Sequence, residues 1–334
     1  MRLSIVVNMY NTASYLPKCM DTLLHQDIKG EDYEIILVDD GSTDESLALA
    51  NNYVAQSENN PSWPCICVCA HANKGLAGAR NTGVDAATGQ YLCFVDPDDY
   101  IEENSLASLL QQMDDEQLDM LRFNYQKIDE TGNKLKDSKQ EATFDYSPKI
   151  ISGRDFLIER LTTTCYVWAY IYRLDIIKRN NIRFIEGRYF DDTPWLPRVL
   201  QVAKRINCTP IRHQYYLQRS GSLVHTMNKK SVLRKVKGQL ELISILKSQM
   251  ESIDRTTQGW YEKMISHVCI SLLTSVAVYD YKHCNSYLRK LQHLFPLNQE
   301  GLGKKMSNKI YLLNRCPKLF LWLIYVKNLK YKNN

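Results

Sequence analysis

A chain of 334 residues, 44% hydrophobic and 24% charged, has room for one large folded domain or two ordinary ones, and its composition excludes fibrous and disordered classes. Its ten cysteines form no CxxC pair and no Cys/His spacing suited to zinc, which points to reduced thiols rather than a disulfide framework or structural zinc. The net charge of +5 is modest and its basic residues do not accompany stacking aromatics, so no nucleic-acid partner is expected.

Leu3–Val7 (LSIVV) reads as a first buried strand, too short for a signal-peptide core, and Ala13–His25 follows as a helix. Tyr33–Val38 is the second strand, Ser42 or Thr43 caps a helix running to Gln56, and Cys65–Ala70 is the third strand. Asn73–Asn81 opens another helix before a fourth strand, Tyr91–Val95. Strands and helices alternating at this spacing imply right-handed crossovers and a doubly wound parallel sheet. Beyond Glu102 a helix to Met113 leads to a strand, Met120–Ile128, with a hairpin expected at Asp129–Asn133. Tyr166–Tyr172 and Ile211–Gln218 read as strands, Leu174–Asn181 and the segment around Trp195–Leu200 as helices. Ser231–Glu251 and Trp260–Tyr279 then read as helices, so a boundary is expected near residue 226, with domains 1–226 and 227–334. No stretch reaches the ~20 apolar residues that span a bilayer, and a cytoplasmic location is expected.

The polar clusters Asn8–Asn11, Asp39–Asp44, Asn73–Asn81 and Asp96–Asp99 each follow a strand and therefore converge on one edge of the sheet, where open α/β sheets place ligands. In the last of them, Asp96, Asp98 and Asp99 bring three carboxylates together around Pro97. Like charges so close repel, and a divalent cation with a preference for hard oxygen ligands, Mg2+ or Mn2+, relieves the repulsion. An acidic turn capping the next helix accounts for the same residues.

Four segments in order, SIVVNMYN (Ser4–Asn11), VDDGSTD (Val38–Asp44), NKGLAGARNTG (Asn73–Gly83) and GQYLCFVDPDD (Gly89–Asp99), resemble glycosyltransferase family 2. The likeness extends more loosely through YFDDTPW (Tyr189–Trp195) and YYLQRSGS (Tyr215–Ser222), with Asn8 standing where the family has proline. The resemblance implies a GT-A, Rossmann-like fold: a mostly parallel sheet flanked by helices, followed here by a helical C-terminal region. It further implies an inverting, metal-dependent transferase that moves a sugar from a nucleotide-diphosphate donor, first a UDP-sugar, to a saccharide or lipid-linked acceptor in cell-surface polysaccharide synthesis. Tyr10 and the backbone around Val7 and Asn8 would line the base pocket, Asp40 would accept a hydrogen bond from the base with Asp39 also on the nucleotide, and Arg80 and Lys74 would bind the diphosphate. Asp98 and Asp96 would hold Mn2+ or Mg2+, with Asp96 also placed on the ribose and Asp99 on the sugar or the metal. Asp192, with Asp191 second, would be the general base. Trp168, Tyr189 and Trp195 stand as an acceptor platform or as core aromatics, Arg219 and Ser222 as a diphosphate loop, and His225 as a metal ligand or a solvent-facing histidine.

No Asp or Glu follows Glu300, and Leu319–Val326 (LFLWLIYV) is flanked by lysines. Residues 315–330 therefore suit the surface of an anionic membrane, and equally a docked terminal helix with its lysines in water. Two other readings compete. A dehydrogenase is disfavoured because GLAGARNTG lacks GxGxxG and follows the third strand. A non-catalytic GT-A-like partner that only binds nucleotide-sugar would be separated by donor turnover.

Overall fold

The seven residues of β1 (Leu3–Met9) and the seven of β2 (Tyr33–Asp39) are all buried, as are the five of β4 (Tyr91–Val95). Apolar runs this continuous fit strands covered on both faces. The computed structural model describes residues 1–136, 144–219, 228–299 and 302–332, in two compact units, Met1–Arg219 and Ser220–Asn334.

In the first unit, β1, β2, β4 and β3 (Cys65–Ala70) join β5 (Tyr100–Ile101), β6 (Met120–Ile128), β7 (Tyr170–Arg173) and β8 (Ile206–Leu217) in one sheet of order β3-β2-β1-β4-β7-β6-β8-β5. The β1–β2, β2–β3, β1–β4 and β6–β8 ladders are parallel, and β4–β7, β6–β7 and β5–β8 are antiparallel. The first four strands thus form the expected parallel half, and the sheet as a whole is mixed. Among the described residues the expected hairpin after Ile128 is seen as the Asp129–Asn133 turn, an antiparallel bridge from Ile128 to Lys134 and a bond from Leu135 N to the Lys127 carbonyl at 2.8 Å. The strand expected over Tyr166–Tyr172 is shorter: Val167–Ala169 is a 3-10 turn, and pairing begins at Tyr170.

One face of the parallel half packs Leu3, Ile5, Val7, Ile35 and Leu37 against Leu16, Met20 and Leu23 of α1 (Leu16–Leu24) and Leu106, Leu109 and Met113 of α4 (Leu106–Asp115). The other face receives α3 (Leu76–Ala86), and Gly83 permits the close approach: a Cβ there would lie 2.3 Å from Val6 Cγ1. Beside α3, Phe94 meets Tyr172, Phe184 and Trp195 edge-on. Burial of these apolar surfaces supplies the stability that holds the strand ends in place.

The second unit is helical. Lys229–Met250 starts at an Asn228 cap and Arg255–Tyr279 at an Asp254 cap, and the two helices pack along Val236, Leu242 and Leu246 and along Tyr261, Val268 and Leu272. Shorter helices span Cys284–Leu291, Lys304–Arg315 and Pro317–Lys332. Among the described residues no helix is long and apolar enough to cross a membrane.

Candidate active site

The loops after β1, β2 and β3 are laced side by side. Asn11, held at φ 54°, accepts from Thr43 N at its Oδ1 at 2.8 Å, and its own backbone N donates to Ser42 Oγ at 3.0 Å. Asp40 accepts from the amides of Lys74 (2.7 Å) and Gly75 (2.9 Å), and Asn73 Nδ2 donates to the Asp40 carbonyl. Both Asp40 oxygens are therefore committed to tying the start of α3 to the end of β2. Asp39 keeps one free: Oδ2 accepts from Ser42 N at 3.1 Å, whereas Oδ1 is buried without a partner. Asn8, at the end of β1, likewise leaves its whole side-chain amide buried and unpaired. Such groups cost about 1–3 kcal/mol each unless something satisfies them, so both are fitted to a polar ligand. Tyr10 beside them is 52% exposed, a free aromatic face.

Arg80, five residues into α3, is buried at 2% exposure. Its guanidinium donates to Asp191 Oδ2 at 2.7 Å and to Asp192 Oδ1, and lies 3.5 Å from Asp96 Oδ1. Asp96 ends β4, while Asp191 and Asp192 open α7 (Asp192–Val202). One cation thus gathers three carboxylates from two distant parts of the chain. Arg80, expected on a diphosphate, is in this structure committed to these acids, and Lys74 is exposed at the start of the same helix.

One guanidinium is too little for this much negative charge. Burial raises the Asp192 carboxyl to about 7, with Arg80 opposing and Asp191 and Asp96 adding to the rise. Burial likewise raises Asp96 to about 6 against Arg80, with Asp98 and Asp191 pushing the same way. The two carboxyls are raised first by burial and then by their acidic neighbours, against a single guanidinium. Asp98 turns outward to Arg219, whose Nε donates to Asp98 Oδ2 at 2.7 Å. Asp99 does not face the opening: its oxygens accept from Gln214 Nε2 at 2.7 Å and Leu217 N at 2.8 Å, so it pins β8 to the turn and offers the site no free oxygen. No cluster of three or more His, Cys, Asp or Glu suited to a metal occurs among the described residues. Asp96 and Asp98, each already facing a guanidinium, are oxygen donors of the kind that would hold a hard divalent ion.

Of the aromatic residues, Trp195 belongs to the core: it is fully buried and stacked on Phe184 at 4.4 Å. Trp168 is 2% exposed, stacked on Tyr166 at 4.6 Å with Tyr216 at 5.0 Å. For both, the core alternative holds, and they cover the sheet with apolar surface. Tyr189 lies edge-on to Phe190 at 5.0 Å. Half-buried Tyr166 and Tyr216 carry the accessible rings, and sequence reasoning missed them. The Tyr166 neighbour Val167 donates to Asp192 Oδ2 at 3.5 Å, and the three acids Asp99, Asp96 and Asp98 act on the Tyr216 phenol, which is raised mainly by burial. Val7 is buried in the core, with only its backbone near the site. Ser222 and His225 lie outside the described residues.

Residues 4–180 match the family model described as Glycosyl transferase family 2. The chain belongs to that family. YibD of Escherichia coli (strain K12), named an uncharacterized glycosyltransferase, is 30% identical over 69% of this family 2 chain and 66% of its own length. TarS of Staphylococcus aureus (strain MW2), named a poly(ribitol-phosphate) beta-N-acetylglucosaminyltransferase, is 26% identical over 65% of the chain and 35% of its own length. The chain thus spans just under two thirds of YibD and about a third of TarS. The crystal structure of TarS 1–349 in complex with UDP-GlcNAc superposes with TM-score 0.70 at 17% identity, covering 100% of this chain and 92% of that one. The mannosyltransferase PcManGT of Pyrobaculum calidifontis, in complex with GDP-Man and Mn2+, superposes with TM-score 0.56 at 14% identity, covering 98% and 87%. Both likenesses establish a GT-A fold.

Proposed function

We propose that the chain is a metal-dependent, inverting glycosyltransferase that moves a sugar from a nucleotide-diphosphate donor to a hydroxyl of a saccharide or lipid-linked acceptor in cell-surface polysaccharide synthesis. The observation that carries this reading is the single guanidinium of Arg80 shared by Asp96, Asp191 and Asp192, which sets the carboxylates of the donor side against those of the acceptor side. A UDP-sugar is the first choice of donor, in keeping with the TarS complexes that contain UDP-GlcNAc and UDP.

In this account Tyr10 stacks on the base, and Asp39 Oδ1 and the Asn8 amide take its polar edge or the ribose. Asp40 shapes the pocket by holding Lys74 and Gly75. Asp96 and Asp98 hold Mn2+ or Mg2+, which when bound supplies Lewis acidity to the departing diphosphate. Asp192, a quarter of whose side chain reaches solvent, takes the proton of the acceptor hydroxyl. The new bond from that oxygen to the anomeric carbon forms as the bond from carbon to phosphate oxygen breaks, inverting the centre. Asp191 shares Arg80 and keeps Asp192 oriented. Tyr166 and Tyr216 offer the acceptor sugar a ring face beside that base.

The C-terminal helix Pro317–Lys332 supports a place on the inner face of the cytoplasmic membrane. Leu319, Trp322 and Leu323 share one face at helical spacing and are 44%, 50% and 44% exposed, and Lys318 and Lys327 are exposed on the same helix. Apolar side chains set among cations fit an anionic lipid surface.

Hydrolysis of UDP-GlcNAc in the absence of acceptor tests the reading. Slow, manganese-dependent release of UDP that Asp98→Asn abolishes is expected. Release that ignores both manganese and the substitution would refute metal-assisted departure.

A further inference from the structure

Asp98, one of the two carboxylates assigned to the cation, already faces a positive charge. Arg219 Nε donates to its Oδ2 at 2.7 Å, and the guanidinium lies 4.8 Å from the centre of the Tyr15 ring. Delivery of this side chain is fixed by the backbone: two residues earlier Leu217 N donates to Asp99 Oδ1, anchoring the end of β8 to the acidic turn. No other ion pair to Asp98 occurs among the described residues, and Arg80 is spent on Asp96, Asp191 and Asp192. Arg219 therefore stands where a divalent ion has to bind.

We propose that Arg219 is a resident counter-ion of the free enzyme, occupying the cation side of Asp98 and yielding it most readily when metal and nucleotide enter together. The proposal rests on the metal-dependent reading above. A dication arriving alone must break a charge-assisted hydrogen bond and leave a guanidinium beside itself, so Arg219 opposes it. A diphosphate arriving with the metal gives the released guanidinium new oxygen acceptors in a forked geometry that an ammonium does not match. Arg219 thereby couples the two ligands, and the coupling is reciprocal: each raises the affinity for the other.

Titration of Mn2+ followed by the paramagnetic resonance signal of the free ion, with and without UDP, tests this in the full chain and in Arg219→Ala and Arg219→Lys. Arg219→Ala is expected to bind Mn2+ alone about fivefold more tightly than the parent. The gain in Mn2+ affinity on adding UDP shrinks by at least the same factor, and Arg219→Lys falls between. A merely structural residue would lower affinity when removed, not raise it. If the parent binds Mn2+ in the presence of UDP and Arg219→Ala binds Mn2+ alone no more tightly than the parent, the counter-ion role is overturned and the metal-dependent reading stands. If the parent binds no Mn2+ even with UDP present, both fall.

Discussion

Arg80 is the residue on which the chemistry of the cleft turns. Burying a guanidinium costs several kcal/mol, recovered only with well-placed partners, and here three carboxylates supply them while remaining in excess themselves. Burial lifts the Asp192 carboxyl to about 7, with Arg80 opposing and that excess of acids adding to the rise, which suits a group that must accept a proton near neutrality. A base with a raised value is protonated below it, so kcat/KM should climb as pH rises through about 7 and level off above. Asp192→Asn should lower the rate by about 10²- to 10⁴-fold and remove that limb, as a pH–rate profile will show. Asp96 and Asp98 were legible in the sequence because a short polar run after a strand announces them, whereas Asp191 and Asp192 were legible only through the family resemblance. Their pairing was not: Arg80 meets Asp191 and Asp192 across separations of 111 and 112 residues, and no local pattern encodes that. The sequence reading put Asp40 on the base, and only the fold shows that the amides of Lys74 and Gly75 take its two oxygens while Asp39 Oδ1 stays unpaired.

Among the elements, three of the strands that place the cleft, β1, β2 and β4, are tied together by one buried acid. Glu34 Oε1 accepts from Ser4 Oγ at 2.6 Å, Thr88 N at 2.7 Å and Thr88 Oγ1 at 2.8 Å, joining β2 to β1 and to the turn that launches β4. Glu34→Ala strands the Thr88 amide and two hydroxyls, and a loss of about 2–4 kcal/mol is expected in urea unfolding, with Glu34→Gln milder because it keeps an acceptor. The parallel half was readable from breaker-flanked apolar runs such as Tyr91–Val95. The strands of the mixed half were readable too, Met120–Ile128 at its observed bounds, but their pairing was not, because its contacts are long-range and β6 meets β8 with register shifts between Arg122 and Asn124 and between Asn124 and Tyr125. The aromatic residues near the acids were ambiguous for a related reason: the composition of a sheet-covering cluster such as Phe94, Phe184 and Trp195 equals that of a sugar platform, and only burial separates them.

At the scale of the whole molecule, the two units carry different tasks in this account, transfer in Met1–Arg219 and surface attachment in Ser220–Asn334. Leu319→Ser with Trp322→Ser removes two exposed apolar side chains, each worth about 1.5–3 kcal/mol when fully buried. Partition onto anionic vesicles should fall by about tenfold or more by sedimentation, while donor turnover in solution is unchanged. A parent chain that ignores anionic vesicles at low salt would end the membrane assignment and leave the catalytic one untouched. The catalytic assignment depends on one cleft in which acids hold a cation against a nucleotide diphosphate. Its most direct measurement is the melting temperature across a panel of nucleotide-sugars, each with manganese and with chelator, for the parent and Asp98→Asn. A ligand at a hundred times its Kd adds about 2.7 kcal/mol, so at least one nucleotide-sugar should raise the parent's melting temperature by a few degrees in manganese, with the rise lost in chelator and in Asp98→Asn. No shift with any nucleotide-sugar, or a shift equal in chelator and in the variant, would contradict it.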